Sequence, residues 1–233
     1  MKISRNDRYI KRRKTLGQYS GYLAILILGG GMYISFRYQE QILFSFLALI
    51  FGFTLSQISV FYTNRFGRSP RPDQEIDNAL KGLDDRYVLY HYRTAVSHLL
   101  VGPAGVLILL PYYQKGKITY DEKKERWNRA GGNAYLRFFA QDSIGRPSLD
   151  ITAAKKDLTN QLSKIPDFEL PELRAVLIFS NEKAEVEAEN APEATLHISQ
   201  VKKYVRKEAK SDRALSMTVV KTIQDALGLP IED

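Results

Sequence analysis

Residues 16–36, LGQYSGYLAILILGGGMYISF, and residues 42–62, ILFSFLALIFGFTLSQISVFY, decide how this chain is organised. Each has about the length needed to cross a bilayer, roughly 20 residues. Neither contains an Asp, Glu, Lys or Arg, and only Arg37-Tyr38-Gln39-Glu40-Gln41 separates them. The pair predicts an all-α transmembrane hairpin. A cleaved signal peptide has a shorter apolar core and a small-residue cleavage site. Here a second apolar segment follows at once. A hairpin buried in a soluble protein would show a polar face. Ser20, Ser45, Thr54, Ser56, Gln57 and Ser59 supply only a weak one. Gly29-Gly30-Gly31 is a place for close helix packing or a kink.

The flanks predict the orientation. Lys2, Arg5, Arg8, Lys11, Arg12, Arg13 and Lys14 precede the first segment, against Asp7 alone. Arg65, Arg68 and Arg71 follow the second. Lys and Arg accumulate on the cytoplasmic side. Lys11, Arg12, Arg13, Lys14, Arg65 and Arg68 are therefore the membrane-orienting residues. Both termini are expected in the cytoplasm, as in an integral protein of a prokaryotic plasma membrane.

The net charge is +8. Most of it lies in residues 1–14, because residues 64–233 hold 26 Lys or Arg against 24 Asp or Glu. The basicity reads as topogenic, with attraction to anionic lipid of about 1 kcal/mol per basic residue near the surface. It does not support nucleic-acid binding. The chain has no Cys, which excludes disulfides and thiolate metal sites. His91, His98 and His197 lack metal-ligand spacing and read as strand or core-edge imidazoles.

The expected divisions are a basic N-terminus (1–15), the hairpin (16–62), a stiff Pro-containing linker (63–72) and one domain (73–233). In the domain, 73–83 reads as a helix capped by Asp73. Strands are expected at 87–92, 97–101 and 106–110, the last two joined by a Gly102-Pro103-Ala104-Gly105 turn. The apolar run 106–110 reads as buried on both faces. Lys117 to Tyr120 and 195–198 read as short strands, and 173–179 as a long apolar one. Residues 151–164, 199–210 and 211–227 read as helices opened by Thr152, Ser199 and Ser211. Residues 122–129 form a charged stretch around Trp127, broken by Ala130-Gly131-Gly132-Asn133. Residues 182–193 read as a solvated acidic loop. The fold class is α+β, a mixed central sheet flanked by helices.

The stretch His98-Leu99-Leu100-Val101-Gly102-Pro103-Ala104-Gly105-Val106-Leu107-Ile108-Leu109 resembles the core of the nuclease-related domain, the NERD family. Asp73-Gln74-Glu75, Gly116, the strand ending in Phe179-Ser180-Asn181 and the C-terminal helices follow in that family's order. The resemblance implies a restriction-endonuclease-like fold and metal-assisted phosphodiester cleavage. The metal-binding Asp of the pattern falls on Ser97, the Glu on Leu110 and the Lys on Tyr112. Glu75 alone keeps its carboxylate. One carboxylate does not hold a hard cation that takes several oxygen ligands. The resemblance therefore implies a degenerate site with no catalytic residue, metal or cofactor.

The leading expectation is a membrane-anchored, catalytically inactive binding or scaffolding module at the cytoplasmic face. Its expected partners are the lipid bilayer and a protein of unknown identity, or nucleic acid bound without cleavage, which the charge does not favour. An alternative is an Mg²⁺-dependent nuclease with relocated residues, Asp84 or Asp85 as ligands and Lys115 or Lys117 as the lysine. Another is a structural membrane protein that forms homo-oligomers through the hairpin.

Overall fold

The computed structural model describes residues 1–130 and 144–228. The chain forms two compact units, Asp7–Arg71 and Met1–Asn6 with Pro72–Asp233.

The first unit is a helical hairpin. Helix α1 (Asp7–Arg37) has 31 residues and α2 (Ile42–Tyr62) has 21. A 3₁₀ turn at Gln39–Gln41 joins them, and a π-helical turn at Thr63–Gly67 continues α2. Both helices are long and apolar enough to cross a membrane. The buried positions of α1 are Ile10, Gly17, Ser20, Ala24 and Gly31. Their spacing of seven, three, four and seven is a heptad seam, the pattern of near-parallel helix packing. Small residues on that seam let the backbones approach. A Cβ on Gly31 would come within 2.5 Å of Ala48 Cβ, and one on Gly52 within 2.5 Å of Leu28 Cγ. Ser59 Oγ donates to the Gly17 carbonyl across the pair at 2.8 Å. Of the glycine triplet only Gly31 serves this contact; Gly29 and Gly30 face open space, and α1 continues through all three. Outside the seam the surface is apolar, with Leu26 and Phe36 71% and 79% exposed. An exposed apolar surface of this extent marks a protein or membrane interaction surface.

The second unit is α+β. A six-stranded mixed sheet has the order β1 (Lys2–Arg5), β2 (Val88–His91), β3 (His98–Gly102), β4 (Gly105–Tyr112), β7 (Leu173–Phe179), β9 (Ala194–His197). β2, β3 and β4 are antiparallel; β1, β7 and β9 add in parallel pairings. β5 (Gly116–Asp121), β6 (Arg126–Ala130) and β8 (Ala184–Glu187) make a second sheet of order β6-β5-β8. Gly105, at φ +114°, closes the β3–β4 turn in a conformation that favours glycine. Residues 105–109 of β4 are buried throughout, as the continuous apolar run requires.

Side chains alternate across the sheet. Leu89, Leu100, Leu107 and Leu109 pack with Ile76 and Leu80 of α3 (Pro72–Leu80). Val201 and Val205 of a helix spanning Val201–Glu208 complete that face. Tyr90, Leu99, Val106 and Ile108 pack the other way. There they meet Leu158 and Leu162 of α4 (Pro147–Leu162), and Val220 and Ile223 of the last helix, Met217–Leu227. The helices at Val201–Glu208 and Met217–Leu227 are α5 and α6. Trp127 and Ile118 of the small sheet pack with Leu177, Phe179 and Ile151.

Several expectations need correcting. Residues 2–5 belong to the sheet as a parallel edge strand, not to a separate basic N-terminus over 1–15, because Lys2 to Arg5 pair with Val88 to His91. Helix α1 starts at Asp7, nine residues before the apolar segment. Asp73 does not cap α3; Pro72 opens the helix and Asp73 lies inside it, fully buried. Thr152 lies within α4 and its hydroxyl donates to the Ser148 carbonyl. The last helix begins at Met217 with Ser216 as its cap, since Ser216 Oγ accepts from Val219 N–H at 3.4 Å. The 182–193 stretch contains β8, and Glu193 accepts from the Ala175 N–H at 3.1 Å and pairs with Lys155. The charged stretch around Trp127 carries β6, which pairs with β5. Gly131-Gly132-Asn133 lies outside the described residues.

Tyr90 supplies a pH test of this packing. Its ring is fully buried, and burial, aided by the charge of Asp225, pushes the phenol up to about 12. The unfolded value is about 10. The folded state thus holds its proton more tightly than the unfolded state. That contribution to stability is complete below about pH 10 and is lost as pH rises to about 12. Tyr87 and Tyr204 are raised in the same direction by burial. Alkaline unfolding is therefore expected to steepen between about pH 10 and 12, and Tyr90→Phe to flatten it. Equilibrium denaturation across that range checks this; an unchanged slope in the variant contradicts it.

Candidate functional site

The four positions singled out by the resemblance do not converge. Glu75 is on α3, over the sheet face that carries Leu107 and Leu109. Leu110 and Tyr112, one strand step out of phase, turn to the opposite face. There Leu110 packs with the apolar clusters, and Tyr112 stacks on Phe179 at 5.4 Å. The Tyr112 hydroxyl donates to Asp150 Oδ2 at 3.0 Å. Ser97 is exposed just before β3, its carbonyl accepting from Tyr92 N–H. An apolar side chain and a phenol thus stand where the pattern requires a carboxylate and a lysine.

The relocated candidates are also dispersed. Asp84 pairs with Arg86 at 2.6 Å, which holds its carboxyl below the usual range. Asp85 faces the Met1 amino group at 2.9 Å. Lys117 pairs with Glu187 on the small sheet at 2.7 Å, and the Lys115 carbonyl accepts from Arg129 Nε. Among the described residues no group of three or more His, Asp or Glu is arranged to hold a metal ion.

The structure instead builds a buried polar ladder that crosses four elements. Arg5 of β1 lies 3.0 Å from Asp73 Oδ2 and also pairs with Asp77, both acids on α3. Asp77 Oδ1 lies 3.0 Å from His91 Nε2 on β2. His91 Nδ1 lies 2.7 Å from His98 Nδ1 on β3. The β2–β3 register sets the two histidines opposite each other, His91 against His98. A ring N–H must donate to a bare ring nitrogen in that contact, so both rings cannot be cations while it lasts. Tyr92, at φ +56°, sets its ring edge-on to His98 at 4.9 Å.

This is an orienting arrangement. His91 and His98 are 0% and 2% exposed, so no substrate reaches either ring in this conformation. Its chemistry is to hold buried charge in a fixed register, and it ties β1 to α3, β2 and β3. Sequence reasoning missed it because Arg5 reads as one more topogenic cation. The available signal was that the two histidines sit at mirrored ends of a β-pair. His197 is not part of the ladder; its Nδ1 lies 2.8 Å from Ser199 Oγ.

The basic residues that flank the two apolar segments gather at one end of the helical hairpin. Arg13 Nη1 donates to the Tyr62 hydroxyl at 2.8 Å, and its guanidinium lies 4.9 Å from the Tyr9 ring centroid. Arg65 lies 4.8 Å over Phe61. Lys11, Arg12 and Lys14 are exposed on α1, and Arg68 is half-buried.

No family model, curated protein or solved structure matches this chain.

Proposed function

We propose that this chain is an integral membrane protein whose α+β domain serves as a non-catalytic binding or scaffolding module at the cytoplasmic face of a prokaryotic plasma membrane. We read the domain as a degenerate relative of the nuclease-related, restriction-endonuclease-like domain. The Val101-Gly102-Pro103-Ala104-Gly105-Val106 hairpin and the parallel apolar strand β7 support that reading.

β1 carries the proposal. It precedes the first apolar helix, yet it pairs with β2, which follows the second. A chain that leaves a sheet, makes two membrane-length helices and returns to the same sheet has both outer helix ends on one side of a bilayer. That agrees with the basic flanks, Lys11 to Lys14 and Arg65 to Arg71, marking the cytoplasmic side.

The absence of cysteine makes the test free of background labelling. Tyr38→Cys places a thiol in the hairpin turn, and Glu189→Cys places one on the domain surface. In intact cells a membrane-impermeant maleimide is expected to label the Tyr38 position alone. Glu189→Cys should react only after lysis. Labelling of Glu189→Cys in intact cells, or release of the protein by alkaline carbonate, sinks the proposal.

A further inference from the structure

We propose that the cytoplasmic end of the hairpin is a preformed binding site for anionic phospholipid headgroups, an inference that rests on the membrane reading above. The sequence reads as a basic N-terminus over residues 1–15. The structure makes residues 7–15 of it a helical collar.

Helix α1 begins at Asp7, so nine residues of helix precede the apolar segment. At 1.5 Å per residue they extend roughly 13 Å. The headgroup layer of one leaflet is about 5–8 Å thick. These residues therefore carry their side chains through the phosphate level as helix. The inward seam there is Ile10 and Arg13, with Arg13 held against Tyr9 and Tyr62. Phe66 is buried beneath, 6.0 Å from the Tyr9 ring. This packing fixes the rotation of α1, so Arg8, Lys11, Arg12 and Lys14 all point outward, and each is exposed. None of these four makes an ion pair among the described residues. The π-helical turn adds Arg65, exposed at the same end. Asp7 is the one acid of the collar.

Five cations on a fixed scaffold suit phosphate groups that arrive in a plane. The occupant is lipid rather than nucleic acid because Lys14 lies two residues from Leu16, where the apolar segment starts. A headgroup whose acyl chains lie along α1 reaches these cations without leaving the bilayer. Ordering in advance the helix that carries these cations lowers part of the ordering cost of binding.

The test uses the full chain in neutral detergent, offered equimolar phosphatidylglycerol and phosphatidylcholine, with retained lipid read by native mass spectrometry. The wild type is expected to retain phosphatidylglycerol about tenfold over phosphatidylcholine or more. Arg8→Gln/Lys11→Gln/Arg12→Gln/Lys14→Gln should abolish the preference. A control lacking four distant cations, Lys123→Gln/Lys124→Gln/Lys156→Gln/Lys183→Gln, should keep it. High salt should erase the wild-type preference without unfolding, since exposed charges are screened. Equal retention of the two lipids by wild type, or equal loss in both quadruple variants, overturns the inference. So does a salt-sensitive preference for duplex DNA over phosphatidylglycerol. Carbonate release from membranes would instead defeat the membrane reading itself. Integral behaviour without lipid preference would defeat only the collar.

Discussion

Arg174→Ala is expected to cost the domain about 3–5 kcal/mol of stability. Arg174 stands in an otherwise apolar strand, LRAVLIF, with its side chain 6% exposed. Its guanidinium pairs with Glu208 at the end of α5 and donates to the Ala104 carbonyl in the β3–β4 turn. Gly105 leaves the room: a Cβ there would come within 2.6 Å of Arg174 Nη2. Glu208 is also 6% exposed, so removing Arg174 leaves a buried carboxylate with one remaining cation, Arg213, at 3.1 Å. Arg213 is 58% exposed, and its loss alone should cost about 0–1 kcal/mol. The destabilisation is desolvation of a buried charge left with only the exposed Arg213 as its partner. Arg174→Met combined with Glu208→Leu should therefore recover most of it. Trp127 is the one tryptophan, buried and donating to Thr195 Oγ1 at 2.9 Å, so its fluorescence reports this domain alone. Denaturant unfolding of the full chain in detergent follows it. A wild-type midpoint for Arg174→Ala, or a double variant no better than the single, refutes this account.

What the sequence made legible was whatever rests on apolar pattern. The hairpin, the buried strands β4 and β7 and the α+β class follow from runs such as Val106-Leu107-Ile108-Leu109-Leu110. Burial is a local property of such a run. Pairing between distant segments is not, and the missed features are of that kind. Lys2-Ile3-Ser4-Arg5 carries no strong strand pattern; it is a strand because β2 offers it an edge. Glu193 falls in an acidic stretch that looks solvated until Lys155 and the Ala175 N–H are brought to it. Helix starts were misplaced where a plausible capping residue, Thr152 or Ser211, lay near the true first turn. The four positions of the resemblance lie apart for a related reason. A pattern carried along the chain assumes that its positions face one another, whereas Glu75 and Leu110 are on opposite sides of the sheet.

Arg5→Ala is the second large effect, and it tests how the helical hairpin is joined to the domain. Arg5 is 23% exposed and faces two carboxylates, Asp73, which is fully buried, and Asp77. Partial exposure discounts the full cost of breaking a buried pair, and about 2–3 kcal/mol is expected. The loss should be local. Backbone hydrogen exchange is expected to rise along β1 and at its partners Val88 to His91, while β4 and β7 stay protected. Arg5→Lys should rescue only in part, because an ammonium is a point charge and does not fork between two acids. Asp77→Asn should keep an acceptor for the His91 N–H but lose the charge that holds Arg5, and so open β1 more than it disturbs the histidine pair. The consequence reaches the hairpin because only Asn6 separates β1 from α1. With β1 paired, the chain connects the hairpin to the sheet unit at both of its ends; with β1 released, residues 68–71 remain as the one connection. Uniform exchange across β1, β4 and β7 in Arg5→Ala would show that the strand is inseparable from the core. Unchanged protection of β1 would show that backbone pairing, not Arg5, holds it.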